Sequence, residues 1–461
     1  MSQSIQKLYQ YSQKLTDLKN TIALLNWDQE TYLPPKAHEE RGEQLATLSS
    51  ILHELETSSD LGKLLEQSQK DCAESTPQQD KALLRVMQRN YNRATKLPNQ
   101  FVSEFAKTIS QAHFAWVEAR KHNNFSLFAP NLEKVVSLNR QQAELLGYFD
   151  HPYDALLDLY EEGLTTSKVS EIFQNLKDKL IPLVEQSSKY WHRSIEIDEP
   201  LDTNTQIKAS KGLLKAIGYD FDRGREDASA HPFTTTLGLN DRRVTNRYAN
   251  DLSFIFSALH EGGHALYEQG ISSKLKRTPL VEGVSLGIHE SQSRLWENMI
   301  GRSRYAWQSP QFKKVKRMFP QLTKYDDETW YQVINHVHPS LIRTESDELT
   351  YNLHILIRFE IEKALIEGSL AISQVPKEWN AKYQQYLGII VPDDTRGCLQ
   401  DIHWSGGMIG YFPTYKILKW LTQNIYTFGS IYTPQELIFK ATGKNLSAQD
   451  YIDYLTDKFH K

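Results

Sequence analysis

The sequence has little cysteine, with only Cys72 and Cys398 among 461 residues. Two thiols cannot form the disulfide framework of a small secreted protein. The opening residues, MSQSIQKLYQYSQKL, lack the apolar core of a secretory signal, and no apolar run approaches the roughly 18 residues that a membrane span needs. These absences predict a soluble, cytoplasmic protein with no membrane partner.

Neither sign of charge dominates the chain. Lys and Arg number 53 against 57 Asp and Glu, for a net charge of −4 with the signs interspersed. Such a chain has no basic surface for nucleic acid, and we expect no nucleic-acid partner. Its 23 Tyr, 18 Phe and 9 Trp exclude a disordered protein.

Glycine and proline are also few, at 22 and 17 residues, and apolar residues recur at helical spacing through long stretches. This pattern predicts a mainly α, compact body of many helices, which we treat as a single catalytic unit over 1–461. The linker-like segment 197–206 is a lobe boundary in the alternative interpretation. The stretches with the clearest helical spacing are 4–26, 37–56, 99–122, 165–190 and 347–368.

Two short segments interrupt the helical pattern. Residues 231–248 are rich in Thr and Val with a turn expected at 238–241, and residues 331–343 also have strand-like composition. We expect these segments to form one small β-sheet packed on the helices.

The strongest chemical signal is the pattern HExxH at 260–264, inside the amphipathic segment 250–270. Residues four apart share one face of a helix, so His260 and His264 can bind one metal ion. Glu261 is rotated away by about 100°, which suits it to accept a proton from a water held by the ion. The pattern therefore indicates a hydrolytic metal site.

Two glycines occupy the centre of the same motif. Gly262 and Gly263 lie mid-helix, where each costs about 1 kcal/mol relative to Ala. This cost indicates that something approaches the helix backbone closely there.

A catalytic zinc normally has three protein ligands, so the two histidines need a third partner. Tyr267 and Gly270 stand where a metzincin would carry Gly and His, which excludes that class. The following segment, 283–300, is the simplest source of a carboxylate. The candidates that the pattern leaves open are Glu282, His289, Glu290 and Glu297.

Short blocks follow HExxH and precede it in a characteristic order: WD at 27–28 with LPP after it, HPF at 231–233, DxRxT at 241–245, HESQ at 289–292, IRTESDELTY at 342–351 and GCLQDIHW at 397–404. The chain thereby resembles, over its whole length, the thermostable carboxypeptidase (carboxypeptidase Taq) family of HExxH metallopeptidases. The only departure outside the Gly-Gly pair is Ser346, where that family is expected to carry Ala.

The resemblance implies that Glu290 is the third metal ligand. It also implies a helical body with a deep active-site groove, a homodimer, and one zinc ion per chain with cobalt as an alternative. The expected activity is the removal of single residues from the C-termini of peptides.

A carboxypeptidase must recognise a free carboxylate, and the planar fork of arginine suits this task. Arg343, in the IRTESDELTY block, is the candidate. The alternative is a salt bridge to Glu345 or Asp347. Arg243 is a rival that we expect to pair with Asp241 instead.

Other residues are weaker candidates for the groove. His231 and His354 either line it or serve as structural hydrogen-bonding groups. Tyr411 either donates a hydrogen bond to the developing oxyanion or packs near Pro413, and Asp401 is a candidate for orienting a ligand imidazole.

Taken together, the sequence predicts a metal-dependent carboxypeptidase in which His260, His264 and Glu290 bind the ion and Glu261 is the general base. Its substrates would be peptides with a free C-terminal carboxylate. The nearer alternative is an oligoendopeptidase or dipeptidyl-carboxypeptidase on a similar helical scaffold. The remote alternative is a non-enzymatic helical interaction protein.

Overall fold

The computed structural model describes residues 2–194, 200–410 and 424–460, and most of these residues are helical. The helices in this part of the chain are Gln3–Thr31, His38–Glu56, Ser59–Asp71, Gln78–Lys96, Asn99–Lys121, Ala129–Leu146, Pro152–Asp158, Thr166–Ser187, Thr203–Ile217, Ser253–Gln269, Leu286–Arg294, Arg304–Gln308, Pro310–Arg317, Pro320–Thr323, Asp327–Ile334, Tyr351–Glu367, Val375–Leu387, Pro434–Thr442 and Gln449–Phe459.

The helical pattern of the sequence predicted these elements well. The helix expected over 165–190 spans Thr166–Ser187, and it begins where the Thr165 hydroxyl accepts a hydrogen bond from the Lys168 backbone N–H. That bond satisfies one of the amide groups that the first turn leaves without an intrahelical partner. The mainly α fold is therefore confirmed.

One three-stranded sheet is present among the described residues. Its strands are β1 (Glu226–Ala228), β2 (Thr234–Gly238) and β3 (Asp241–Asn246), in the order β1-β3-β2. β2 and β3 are antiparallel and form the hairpin expected in 231–248, whereas β1 and β3 are parallel.

The second predicted strand segment is wrong. Residues 331–334 complete the helix Asp327–Ile334, and the chain then continues without strand structure to a short 3₁₀ turn at Arg343–Glu345. Trp330 and Ile334, four residues apart, are both buried on one face of the helix. A short apolar run does not separate a strand from a buried helix end, and here the helical spacing prevails.

The described residues form two compact units. The first takes its residues from 2–95, 200–328 and 424–445, and the second from 96–194, 329–410 and 446–460. Each unit has its own apolar core: Leu8, Leu83 and Leu280 belong to that of the first, and Leu156 and Leu353 to that of the second. The single catalytic unit over 1–461 stays a prediction, and part of the expected linker at 197–206 lies outside the described residues.

The first unit contains the sheet and both helices that carry the metal motif. Among the described residues, no helix combines the length and the apolar character needed to cross a membrane.

Candidate metal centre

Two helices of the first unit approach each other at the glycine pair. A Cβ atom placed on Gly263, in the helix Ser253–Gln269, would lie 2.6 Å from the Gln292 carbonyl oxygen and 2.7 Å from the Ser293 Cα. These atoms belong to the backbone of the helix Leu286–Arg294. The close approach expected from the two glycines is thus present, and it brings the HESQ block against the HExxH motif.

Gly262 faces a different neighbour. A Cβ atom there would lie 2.7 Å from the terminal methyl groups of Leu214 and Ile217, in the helix Thr203–Ile217. The HExxH helix is therefore packed on both sides of its glycine pair, which fixes the direction in which its histidines point.

The side chains of His260, His264 and Glu290 converge. The Glu290 Oε2 atom lies 3.5 Å from His260 Nε2 and 3.3 Å from His264 Nε2. Two atoms bound about 2.0–2.1 Å from one ion at a tetrahedral angle would lie about 3.3–3.4 Å apart. Two imidazole nitrogens and one carboxylate oxygen are also the donor set that a catalytic zinc prefers. The three side chains therefore fit a single divalent ion.

Two of the remaining candidates for the third ligand, Glu297 and His289, contact the other ring nitrogens of the two histidines. Glu297 Oε2 accepts a hydrogen bond from His260 Nδ1 at 2.9 Å, and His289 Nδ1 lies 2.5 Å from His264 Nδ1. Both contacts involve the ring nitrogen that points away from Glu290. Glu297 and His289 therefore orient the two imidazoles through Nδ1, which leaves each Nε2 directed at Glu290.

Arg294 and Arg302 balance the carboxylates of this cluster. Arg294 donates to Glu290 Oε1 at 2.8 Å and to Glu297 Oε2 at 3.0 Å, and Arg302 lies 3.6 Å from Glu297. Burial raises the pKa of Glu297, but the charge of Arg294 and the contact with His260 outweigh it and lower that pKa to about 2. Glu290 thus remains an anion suited to bind a cation, since its pKa is held well below the ordinary value by His260 and Arg294 against the effect of burial.

The two histidines differ in their electrostatic surroundings. Burial lowers the pKa of His264 to about 4, so its imidazole is neutral at neutral pH. Burial acts in the same direction on His260, but the charge of Glu290 and hydrogen bonds to Glu290 and Glu297 raise its pKa well above the ordinary value. A cation bound through Nε2 would require His260 in its neutral form.

The predicted general base, Glu261, is held by a strand residue. Thr234, the first residue of β2, donates a hydrogen bond from Oγ1 to Glu261 Oε2 at 2.7 Å. Burial raises the pKa of Glu261, which increases its capacity to accept a proton. No sequence pattern indicated Thr234 beyond its place directly after the HPF block, because the contact joins residues 27 positions apart.

The DxRxT block supports the hairpin. Arg243 donates to both carboxylate oxygens of Asp241 at 2.8 Å and lies over the Trp27 ring at 4.1 Å, which agrees with the expected structural pair. His231 is exposed, and its carbonyl accepts a hydrogen bond from Ser229 at 2.6 Å.

Two other predicted substrate residues, Arg343 and His354, belong to the second unit. Arg343 donates to the Tyr351 hydroxyl at 3.0 Å. Asp347, one of its expected alternative partners, instead accepts hydrogen bonds from backbone N–H groups at the start of the helix Tyr351–Glu367 and at His338.

His354 is 2% exposed and bonds through Nδ1 to the Tyr383 hydroxyl at 2.9 Å. Burial lowers its pKa to about 3, so its imidazole is neutral at neutral pH. Asp401 bonds to His403 Nδ1 at 2.7 Å and lies 3.3 Å from the Arg358 guanidinium. Tyr411 lies outside the described residues.

Comparisons with known proteins match the whole chain. The family model of the carboxypeptidase Taq (M32) metallopeptidases matches residues 7–418 and 416–459. Carboxypeptidase 1 of Bacillus subtilis is 37% identical, over 97% of this chain and 96% of that protein. Thermostable carboxypeptidase 1 of Thermus thermophilus is also 37% identical, over 98% of both chains. The structure of a Pyrococcus furiosus carboxypeptidase superimposes with a TM-score of 0.95 at 35% identity, covering 100% of this chain and 99% of that one.

Proposed function

Since this chain belongs to the carboxypeptidase Taq (M32) family of metallopeptidases and is a metal-dependent carboxypeptidase, we propose that His260, His264 and Glu290 hold its metal ion. The observation that carries this proposal is the convergence of two Nε2 atoms and one carboxylate oxygen at 3.3–3.5 Å. Zinc suits this donor set best, and cobalt is the alternative. A bound ion of this kind supplies Lewis acidity, which makes water a stronger nucleophile and polarises the scissile carbonyl.

Glu261 moves the proton in the proposed reaction. Its Oε2 is fixed by Thr234, and its pKa is raised by burial, so the carboxylate can take a proton from the attacking water and deliver it to the leaving amine. Because Glu261 neighbours His260 in the helix but is rotated from the ligand face, it can act on the water without competing for the ion.

The proposed substrates are peptides with a free C-terminal carboxylate, shortened by one residue at a time. Arg343 stays the predicted anchor for that carboxylate, because a guanidinium forms two charge-assisted hydrogen bonds with it. We further propose that the protein is cytoplasmic, which the scarcity of cysteine supports. We also propose that it is a homodimer, which the family resemblance supports.

The experiment compares one peptide in its free-acid and its C-terminally amidated form. Parent enzyme, chelator-treated enzyme and enzyme reloaded with zinc or cobalt are incubated with both forms, and the products are followed by mass spectrometry. We expect stepwise loss of single residues from the free acid alone, abolished by the chelator and restored by metal.

Cleavage of both forms at equal rates would contradict the proposal and favour the endopeptidase alternative, and release of dipeptides would favour the dipeptidyl-carboxypeptidase. Arg343→Ala should shrink the preference for the free acid without changing the metal content. An unchanged preference would remove Arg343 as the anchor.

A further inference from the structure

A series of polar groups, from half-buried His289 to fully buried Arg242, extends from the Nδ1 side of His264. His289 Nδ1 lies 2.5 Å from His264 Nδ1, and His289 Nε2 lies 2.9 Å from Glu268 Oε1. The other oxygen of Glu268 lies 3.0 Å from the guanidinium of Arg242, a residue that is fully buried. His260 has a simpler support, since Glu297 contacts its Nδ1 directly.

Once His264 binds the ion, the donors and acceptors of these groups determine which ring nitrogens of His264 and His289 carry a proton. A ligand imidazole uses the Nε2 lone pair, so its single proton sits on Nδ1. That Nδ1–H must donate to His289 Nδ1, which therefore carries a lone pair. With its Nδ1 accepting, His289 donates from Nε2–H to Glu268, whose carboxylate is paired with Arg242.

Packing restrains the His289 ring, and its two hydrogen bonds select the orientation. A Cβ atom on Gly283 would lie 2.6 Å from His289 Cδ2, and the Tyr267 ring centroid lies 5.3 Å from that of His289. A ring turned over about its Cβ–Cγ bond would present Cδ2 to His264 and Cε1 to Glu268, and it would lose both hydrogen bonds. The lone pair at Nδ1 is thus kept in place for the ligand.

We propose that His289 is a positioning residue that sets the tautomer and orientation of His264, with Glu268 and Arg242 as its anchor. The inference rests on the proposed function, because it assumes that His264 binds the ion through Nε2. Groups that accept the second N–H of a ligand histidine typically contribute 10–100-fold to metal affinity.

The test measures zinc affinity by competition with a chromophoric chelator, together with thermal unfolding of the metal-free protein. His289→Leu removes both the acceptor and the donor, and we expect zinc affinity to fall about 10–100-fold. His289→Gln keeps one acceptor and one donor on a planar group, and it should recover most of that loss. Tyr267→Phe is the matched control, because it perturbs the same pocket outside the hydrogen-bonded chain.

Each outcome decides a specific point. Parent-like zinc affinity in His289→Leu would overturn the inference, and so would equal losses in His289→Leu, His289→Gln and Tyr267→Phe, since they would indicate a packing effect. Glu290→Ala separates the inference from the proposed function: if that variant binds zinc like the parent, the ligand set itself is wrong.

Discussion

The glycine pair offers a matched test of how the metal site is assembled. A methyl group added at Gly263 would meet the backbone of Gln292 and Ser293 at 2.6–2.7 Å, whereas one added at Gly262 would meet only side-chain methyl groups at 2.7 Å. Backbone atoms in a helix cannot turn aside, but side-chain ends can change rotamer. Gly263→Ala should therefore displace the helix that carries Glu290, and Gly262→Ala should not.

The size of the displacement follows from the contact distances. Ordinary contact begins at 3.4 Å, so the two helices must separate by about 0.8 Å at Gly263. Ligand distances in a metal site tolerate about 0.2 Å, and a misplacement near 1 Å can cost about 100-fold in rate. The overpacking cost of about 1–3 kcal/mol is partly offset by about 1 kcal/mol of better helix propensity, so both variants should fold.

The assay determines kcat/KM on a free-acid peptide and the zinc dissociation constant for the parent and both variants. We expect Gly263→Ala to lose about 100-fold in kcat/KM with weakened zinc binding, and Gly262→Ala to remain within a few-fold of the parent. Parent-like values for Gly263→Ala, or equal losses in the two variants, would refute the view that this backbone contact positions Glu290.

Three further predictions concern carboxylates of the first unit. Glu261→Gln should keep its metal, by elemental analysis, while kcat falls at least ~100-fold; substantial turnover would exclude it as the base. Glu297→Ala should bind zinc about 10–100-fold more weakly in equilibrium dialysis, whereas Glu290→Ala should not load; identical behaviour would contradict their different roles. Burial raises the pKa of Glu226 from 4.5 to about 7, so the folded protein retains a proton that the unfolded chain releases. The free energy of unfolding should thus fall as the pH rises from about 4.5 to about 7. In urea unfolding, Glu226→Gln should remove about 3 kcal/mol of that fall.

The sequence predicted those parts of the structure that depend on local spacing. The i, i+4 histidines, the offset Glu261 and the helical stretches all follow from the 3.6-residue period, and the mid-helix cost of Gly263 correctly indicated a close backbone contact. The error at 331–343 arose because a short apolar run is compatible with both a strand and a buried helix end.

The outer support of the site could not be predicted in this way. The sequence pattern left both Glu290 and Glu297 open as the third ligand, and only the structure shows that they contact opposite nitrogens of His260. Thr234 and Arg242 are distant in sequence from the groups that they hold, and no periodicity connects such residues.

The most direct test of the central claim is anomalous diffraction at the zinc edge from crystals of the zinc-loaded protein. One peak per chain should lie about 2.0–2.2 Å from His260 Nε2, His264 Nε2 and a Glu290 carboxylate oxygen. A peak bound through Nδ1 of either histidine, or one coordinated by Glu297 or His289 in place of Glu290, would contradict it.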